Sequence, residues 1–497
     1  MSRSRVPLLS LAAAFVLFVL ALIFVLPPTH DLLLSFGLDG SIGENSIRTL
    51  QIIGAVGCAL LALLILLQKQ VRAIIVAVID AIANMGAVPY FVVLIAVALV
   101  LRAAWVIAVP SVPYTDFAVY DGLACNVAQG NEYVDDFSDP ATDDYGKLAW
   151  RAPGFPYMLA GVYAVTGCDA HIGKVLVLAF SVAVVALSYA VSVQAFGERA
   201  GRIAGLIVAL YPTLIAYSGI LGTELPFTCF LLIGLYGVLR QVKQPRWYWL
   251  VMIGLSMGIA ALIRPNGLVV LLAVPIYWLI ATRNLVKAIV YTAVIGVLAL
   301  LVILPWSLRN QRVFGTFVFI TTNGGNVMWE GTQTTAGGSG VEGGRALCEG
   351  LTEPECDSYA RGQAIQNILG DPVSYARYSL SKLVRLYAFG YQGIVQSVES
   401  TSEGYEMPSI VRTGLIAAAQ SYHLLILLLA AIGMVWSLRR GWTAVHTFYL
   451  LILLAWSALH FLFHGESRYH VPVLPVIAGY AALTLAWVQR AGTAAKS

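Results

Sequence analysis

Charge is what this chain of 497 residues lacks: Asp, Glu, Lys and Arg make up only 11% of it, where a soluble globular protein carries about 25%. With 59% hydrophobic residues and a mean hydropathy of +0.80, that shortage excludes a soluble domain and indicates an integral membrane protein. The remaining charge is nearly balanced, at net +4. Its basic residues sit at loop edges rather than in a patch, so no nucleic-acid partner is implied. There is no Walker A loop, no dinucleotide fingerprint and no sizeable cytoplasmic domain, which argues against a nucleotide-driven pump. No clear internal repeat of the kind found in secondary transporters is present. Cysteine is scarce, six in all, and no spacing among them suggests zinc.

What is abundant is apolar sequence. About twelve runs are long enough to span a bilayer: 7–27, 48–67, 88–109, 171–196, 200–217, 223–240, 247–263, 266–282, 287–306, 412–437, 443–463 and 470–488. The stretch 73–86 reads as an interfacial helix, because Asp80 and Asn84 interrupt it. The expected fold is therefore an all-α polytopic bundle of about 12 transmembrane helices, with short surface helices in its loops. Residues 1–87 read as an N-terminal two-helix addition, the first run being a retained helix rather than a signal peptide. Residues 88–306 read as the membrane core with a first loop at 110–170, 307–411 as a second loop region, and 412–488 as C-terminal helices.

Lys and Arg near the ends of the runs, among them Arg199, Arg202, Arg240, Lys243, Arg283, Lys287, Arg439 and Arg440, collect on one side. The positive-inside rule makes that side cytoplasmic, with both termini inside. The loops 110–170 and 307–411 then face outward. Cys125 and Cys168 flank the first loop, and Cys348 and Cys356 lie in the second; disulfides and free thiols are both compatible with an oxidising side. Cys58 and Cys229 lie within apolar runs and read as packing residues. In the first loop, FAVYDGLACNVAQG places Phe117, Tyr120, Ala124, Val127 and Ala128 on one helical face, the pattern of a helix lying on the membrane surface. In the second loop a helical stretch is expected over 358–388.

Ionisable residues at the outer boundary are costly and so mark chemistry. Asp116 follows the 88–109 run, where a carboxylate shielded from bulk water can act as a general base, or can simply cap the next helix. Glu224 starts an apolar run and is open to the same capping explanation. Arg151, in WRAPGFPY, brings a phosphate-binding fork to the surface, or meets anionic headgroups without a specific role. Arg264 occupies the turn of ALIRPNG. The turn HGESRYH gathers His464, Glu466, Arg468, Tyr469 and His470; two histidines near a Glu invite a metal reading, which loop spacing supports only weakly. The five charges Asp116, Arg151, Glu224, Arg264 and Arg468 share one side, and that is the stronger signal. Arg102, inside the 88–109 run, lies on the helix leading to Asp116 and is expected to reach toward the outer site.

The pieces YTDFAVYDGLACNVAQG, RAPGFPYMLAGVY, TELP, GIAALIRPNG, LPWSLRNQRVFG with its following NGGN, and ESRYHVPVLP together resemble the polyprenyl-phosphate-dependent GT-C glycosyltransferases. The resemblance is to the bacterial group related to protein O-mannosyltransferases and the lipid A aminoarabinose transferase, and it covers about 88–488. It implies an inverting sugar transfer from a polyprenyl-phosphate donor to a glycan, lipid or protein acceptor, on the periplasmic face of a bacterial cytoplasmic membrane. It implies Asp116 as base and Glu224 as the second acidic position, orienting acceptor or base. It implies substrate contacts from Arg151, Arg264 and Arg468, with Tyr120 and Tyr469 beside them, and from the basic helix carrying Lys382 and Arg385. Arg151 falls where the aminoarabinose transferases have Lys. Trp150 stands where they have a metal-associated Glu, so no required metal is expected. The competing readings are a flippase or transporter of polyprenyl-linked glycans, with Arg102 as its intramembrane charge, and an oligosaccharide ligase, which the absence of His from 307–411 disfavours.

Overall fold

The computed structural model describes residues 77–134, 148–333, 348, 350–402 and 404–494, with side chains to 487. The expected spans 7–27 and 48–67, and Cys58, lie outside the described residues. Of the interfacial stretch 73–86, residues 77–84 are helical.

Among the described residues, eight helical segments are long and apolar enough to cross a membrane: Ala87–Ala108, Ala170–Phe196, Glu224–Lys243, Pro265–Thr282, Leu285–Phe314, Ser409–Arg440, Ala444–Leu462 and Ser467–Trp487. We label the helices as they are used. α1 (Ala87–Ala108) leads out to the site; α2 (Asp116–Ala128) and α3 (Gly154–Thr166) flank the first loop; α4 (Ala170–Phe196) returns across the bundle. The chain is thus a multi-pass membrane protein with no strand among its described residues.

The run 200–217 is not one span. It divides into α5 (Glu198–Ala209) and α6 (Pro212–Tyr217), because Pro212 lacks an N–H and pushes Tyr211 into extended backbone, φ −72° and ψ 111°. The break leaves carbonyls without intrahelical donors in the middle of the bundle. Arg102 supplies donors to two of them: Nη1 to Ala209 O at 3.0 Å and Nη2 to Val208 O at 3.3 Å, while Nε donates to Ser181 Oγ at 2.6 Å. Tyr422 Oη donates to Ile207 O at 2.8 Å. Arg102 therefore does not reach the outer site. It caps a broken helix, where a cation also meets the negative end of the helix dipole.

α7 (Glu224–Lys243) and α8 (Trp247–Ile263) pack as a hairpin, and α8 packs on α10 (Leu285–Phe314); between them Arg264 leads into a 3-10 turn, Pro265–Leu272, and α9 (Ala273–Thr282). The second loop contributes α11 (Gly324–Glu330), α12 (Glu353–Gly370), α13 (Pro372–Ala388) and α14 (Gln392–Glu399). The helix expected over 358–388 is two, because Pro372 stops α12 and starts α13, with Asp371 accepting from Ser374 N at 3.0 Å. α15 (Ser409–Arg440), α16 (Ala444–Leu462), a 3-10 turn Ser467–Val473 and α17 (Leu474–Ala494) complete the chain.

Both cysteine pairs are closed, Cys125–Cys168 and Cys348–Cys356. The first ties α2 to the entry of α4, alongside a hydrogen bond from Tyr163 to Asp121. Asp121 is thus partnered within the fold. Cys229 is a buried free thiol, as its place in an apolar run implied.

Candidate active site

Three separate turns meet at one end of the bundle. The first runs from α1 into Asp116, at the start of α2. Thr115, just before it, has φ +47° and ψ −123°, a conformation that is strained for a β-branched residue. Strain of this kind persists only when the surroundings hold it. Here Ser402 N donates to Pro110 O at 3.0 Å, and Ser111 bridges to Thr401.

The second turn, 148–153, carries Arg151, and its backbone is held from several distant elements. Glu353, the first residue of α12, accepts from Leu148 N at 2.5 Å and Ala149 N at 3.2 Å. Thr322 N donates to Ala149 O at 3.0 Å, Arg309 Nη1 to Leu148 O at 2.8 Å, and Tyr133 Oη to Arg151 O at 3.1 Å. Gly154 then lets α3 lie against the chain just before Arg264. A Cβ there would stand 2.8 Å from Ile263 N and Leu262 C, closer than real side chains approach backbone.

The third turn joins α16 to α17 and holds His464, Glu466, Arg468 and Tyr469. Gly331, at the end of α11, packs backbone to backbone on Phe463, and His464 takes Glu330 Oε2 at 3.5 Å on Nδ1 and Glu466 Oε1 at 3.2 Å on Nε2. All three turns are therefore braced by the second loop region.

The charges interlock. Asp116 Oδ1 lies 2.5 Å from Arg151 Nη2 and Oδ2 lies 3.1 Å from Arg468 Nη1. Arg468 Nε is 2.8 Å from Glu466 Oε2. Arg264 Nη2 is 3.0 Å from Glu224 Oε1. The Tyr469 ring lies against two guanidinium groups, 5.3 Å from Arg264 and 5.2 Å from Arg468, a cation–π arrangement. Tyr120 lies 6.0 Å from Arg151 and packs edge-on against Phe155. Burial opposes charge on Asp116, but Arg151 and Arg468 outweigh it and hold the carboxyl below its usual value. Burial likewise opposes charge on Glu466, yet Arg468 and His464 hold it below the carboxylate range. Burial lowers the proton affinity of His464, but Glu330 and Glu466 reverse that and raise it overall.

Asp116, Arg151, Glu224, Arg264, Arg468, Tyr469 and Tyr120 thus fall in one cluster. Lys382 stands apart from its ion pairs. Lys382 is fully buried; its Nζ donates to Gly331 O at 3.0 Å and lies over the rings of Tyr375 and Tyr378. It supports the third turn from behind, where a Cβ on Gly465 would meet Lys382 Cβ at 2.8 Å. The C-terminal carbonyls of α13 accept from or pair with the bundle: His470 Nδ1 at Leu386 O, His423 Nε2 at Tyr387 O, and Gln420 Nε2 at Ala388 O, at 2.8, 2.6 and 2.6 Å.

Residues that the sequence did not mark also enter. Tyr217, at the end of α6, is buried with a hydroxyl that has no protein partner among the described residues, and it feels the charges of Glu224 and Arg468. Glu330 and Glu353 carried no local signal, because their partners, His464 for the one and Leu148, Ala149 and Thr322 for the other, lie tens to hundreds of positions away. Among the described residues no group of three or more His, Cys, Asp or Glu side chains is gathered to hold a metal ion.

Residues 150–308 match the family model described as Dolichyl-phosphate-mannose-protein mannosyltransferase. The archaeal oligosaccharyltransferase AglB from Archaeoglobus fulgidus, in complex with an inhibitory peptide and a dolichol-phosphate, aligns with TM-score 0.52 at 15% identity. The alignment covers 82% of this chain and 52% of that one. The apo form of the Archaeoglobus fulgidus oligosaccharyltransferase aligns with the same score and coverage at 13% identity. A weaker likeness, TM-score 0.39 at 16% identity, covers 82% of this chain and 79% of ArnT from Cupriavidus metallidurans bound to undecaprenyl phosphate. No protein of curated function matches the sequence. The fold is thus similar to that of the archaeal oligosaccharyltransferase, and residues 150–308 are similar to the protein mannosyltransferases. The chain spans about half the length of the oligosaccharyltransferase it matches.

Proposed function

We propose that this protein transfers a sugar from a polyprenyl-phosphate-linked donor to a hydroxyl of an extracytoplasmic acceptor, with inversion at the anomeric carbon. The observation that carries the reading is Asp116, a carboxylate set between Arg151 and Arg468 at the end of a membrane bundle, with the Arg264–Glu224 pair beside it. Asp116 takes the acceptor hydroxyl proton, and the oxygen attacks the anomeric carbon. The carbon–oxygen bond to phosphate breaks, and its electron pair stays on the phosphate. Arg151 and Arg264 neutralise that charge, which counts for more in a water-poor site than in bulk water. Glu224 orients the acceptor, and Tyr217 lines the same cluster with a free hydroxyl.

The basic ends Arg240, Lys243, Arg283, Lys287, Arg439 and Arg440 belong to the helix termini opposite the site. That asymmetry supports a bacterial cytoplasmic membrane with the site facing outward and both termini inside. No metal is assigned to the reaction. Both oxygens of Asp116 and one of Glu224 are on guanidinium groups, and the neighbouring Trp150 carries no carboxylate. The flippase reading loses its intramembrane charge, since Arg102 is spent on Ser181, Val208 and Ala209.

The test is transfer from a polyprenyl-linked sugar in membranes carrying Asp116→Asn, with mass spectrometry of surface glycans from a deletion strain to name the sugar and acceptor. Loss of transfer with intact expression is expected. Near-normal transfer in that variant removes Asp116 as the base.

A further inference from the structure

We propose that the donor's phosphate and Asp116 compete for Arg151, so that the base is masked by ion pairing in the empty enzyme and exposed only when donor binds. The inference rests on the glycosyltransferase reading above and concerns the order of events at that site.

The first observation is that Asp116 is fully engaged. One oxygen faces Arg151 at 2.5 Å and the other faces Arg468 at 3.1 Å. A carboxylate holding two guanidinium groups is a poor proton acceptor, because protonation would take Arg151's carboxylate partner away and leave Arg468 with Glu466 alone.

The second observation is that the two arginines are not equivalent. Arg468 is pinned by Glu466 at 2.8 Å, by the Tyr469 hydroxyl at 3.3 Å and by the Tyr469 ring; Glu466 is itself held by His464. Arg151 has Asp116 as its one carboxylate partner among the described residues, whereas Arg468 has two. Arg264 keeps a buried Nη1 without an acceptor. Arg151 is the side chain free to exchange partners.

The third observation is the charge count. Asp116, Glu224 and Glu466 face Arg151, Arg264 and Arg468, and the adjoining Glu330 faces His464. Among these described side chains of the cluster, each cation already faces a carboxylate. An arriving phosphate must therefore draw a guanidinium away from a carboxylate, and Arg151 is the least restrained.

The cycle then closes. Phosphate takes Arg151, and Asp116 accepts the acceptor proton as the sugar moves. The phosphate product departs, and Arg151 returns to Asp116 as that carboxyl releases its proton to water. Donor must bind before acceptor is activated.

The probe is a polyprenyl methyl phosphodiester, whose single charge does not titrate near neutrality, bound to the full chain in nanodiscs and followed by calorimetry. Asp116→Asn should bind it at least about tenfold more tightly than the unaltered protein, about 1.4 kcal/mol, since the carboxylate that competes for Arg151 is gone. Arg151→Gln should bind it more weakly. Equal or weaker binding by Asp116→Asn, with saturable binding by the unaltered protein, overturns the competition and leaves the lipid-phosphate reading standing. Absence of saturable binding by either protein overturns that reading and the competition with it. If Asp116→Asn does not fold, the unaltered protein is titrated downward in pH. Binding that tightens as Asp116 protonates supports the competition, and flat or weakening binding overturns it.

Discussion

Asp116 and Arg468 are 352 positions apart in the chain and 3.1 Å apart in space. The contact joins the first loop to the last turn, and the intervening second loop region braces both. Disturbing the braces should therefore impair the site without touching any of its charges.

Glu353 is the clearest case. Its carboxylate holds Leu148 N and Ala149 N, and hydrogen bonds to a charged group are worth about 1.5–3 kcal/mol each. Glu353→Ala should raise KM for the lipid-linked donor about tenfold while lowering kcat less, because Arg151 is misplaced rather than removed. Steady-state kinetics check this; a fall in kcat with unchanged KM argues against it.

Gly154→Ala should open the junction between the Arg151 and Arg264 turns. The new methyl meets backbone at 2.8 Å, and overpacking of this kind costs about 1–3 kcal/mol. A lower melting temperature in detergent together with reduced transfer is the expected outcome. An unchanged melting temperature would mean that the helix entry shifts freely.

His464 makes the third turn sensitive to alkali. Glu330 and Glu466 raise its folded pKa above the ordinary histidine value, against the effect of burial. Its contribution to stability is complete below about pH 6.5 and is lost as pH rises through the folded value. His464→Gln should flatten that alkaline decline in thermal stability measured across pH. A decline of the same steepness in the variant would assign it elsewhere.

Lys382 should act in the opposite direction. Burial, aided by Arg385, pushes its ammonium down to about 7. The unfolded chain then binds more protons than the folded one between there and the free value of about 10.4, so this group makes stability rise with pH. Lys382→Met should remove the rise and leave donor affinity near normal, since the ammonium is committed to Gly331 O. A large loss of donor affinity would instead restore Lys382 to the phosphate site.

Much of the architecture was legible in the chain because a bilayer imposes simple rules. Apolar length, the Arg-Pro turn at 264–265 and the basic helix ends are local patterns, and they located the described spans and the shared side of five charges. Where the pattern misled, proline was the reason. Pro212 broke the expected span 200–217, and Pro372 broke the expected helix 358–388. Arg102 looked like a charge bound for the outer site because its cap partners, the carbonyls of Val208 and Ala209, become available only after that break.

Residue type and position along the helices thus determined that Asp116, Arg151, Glu224, Arg264 and Arg468 share one end of the bundle. Tertiary structure alone decided the pairing: Asp116 between Arg151 and Arg468, Glu224 on Arg264, Lys382 on a carbonyl, and Glu353 beneath the Arg151 turn. The reason is physical. Transfer from water depends on each segment's own composition, whereas an ion pair depends on the distance in space between groups that lie 35, 40 or 352 positions apart along the chain.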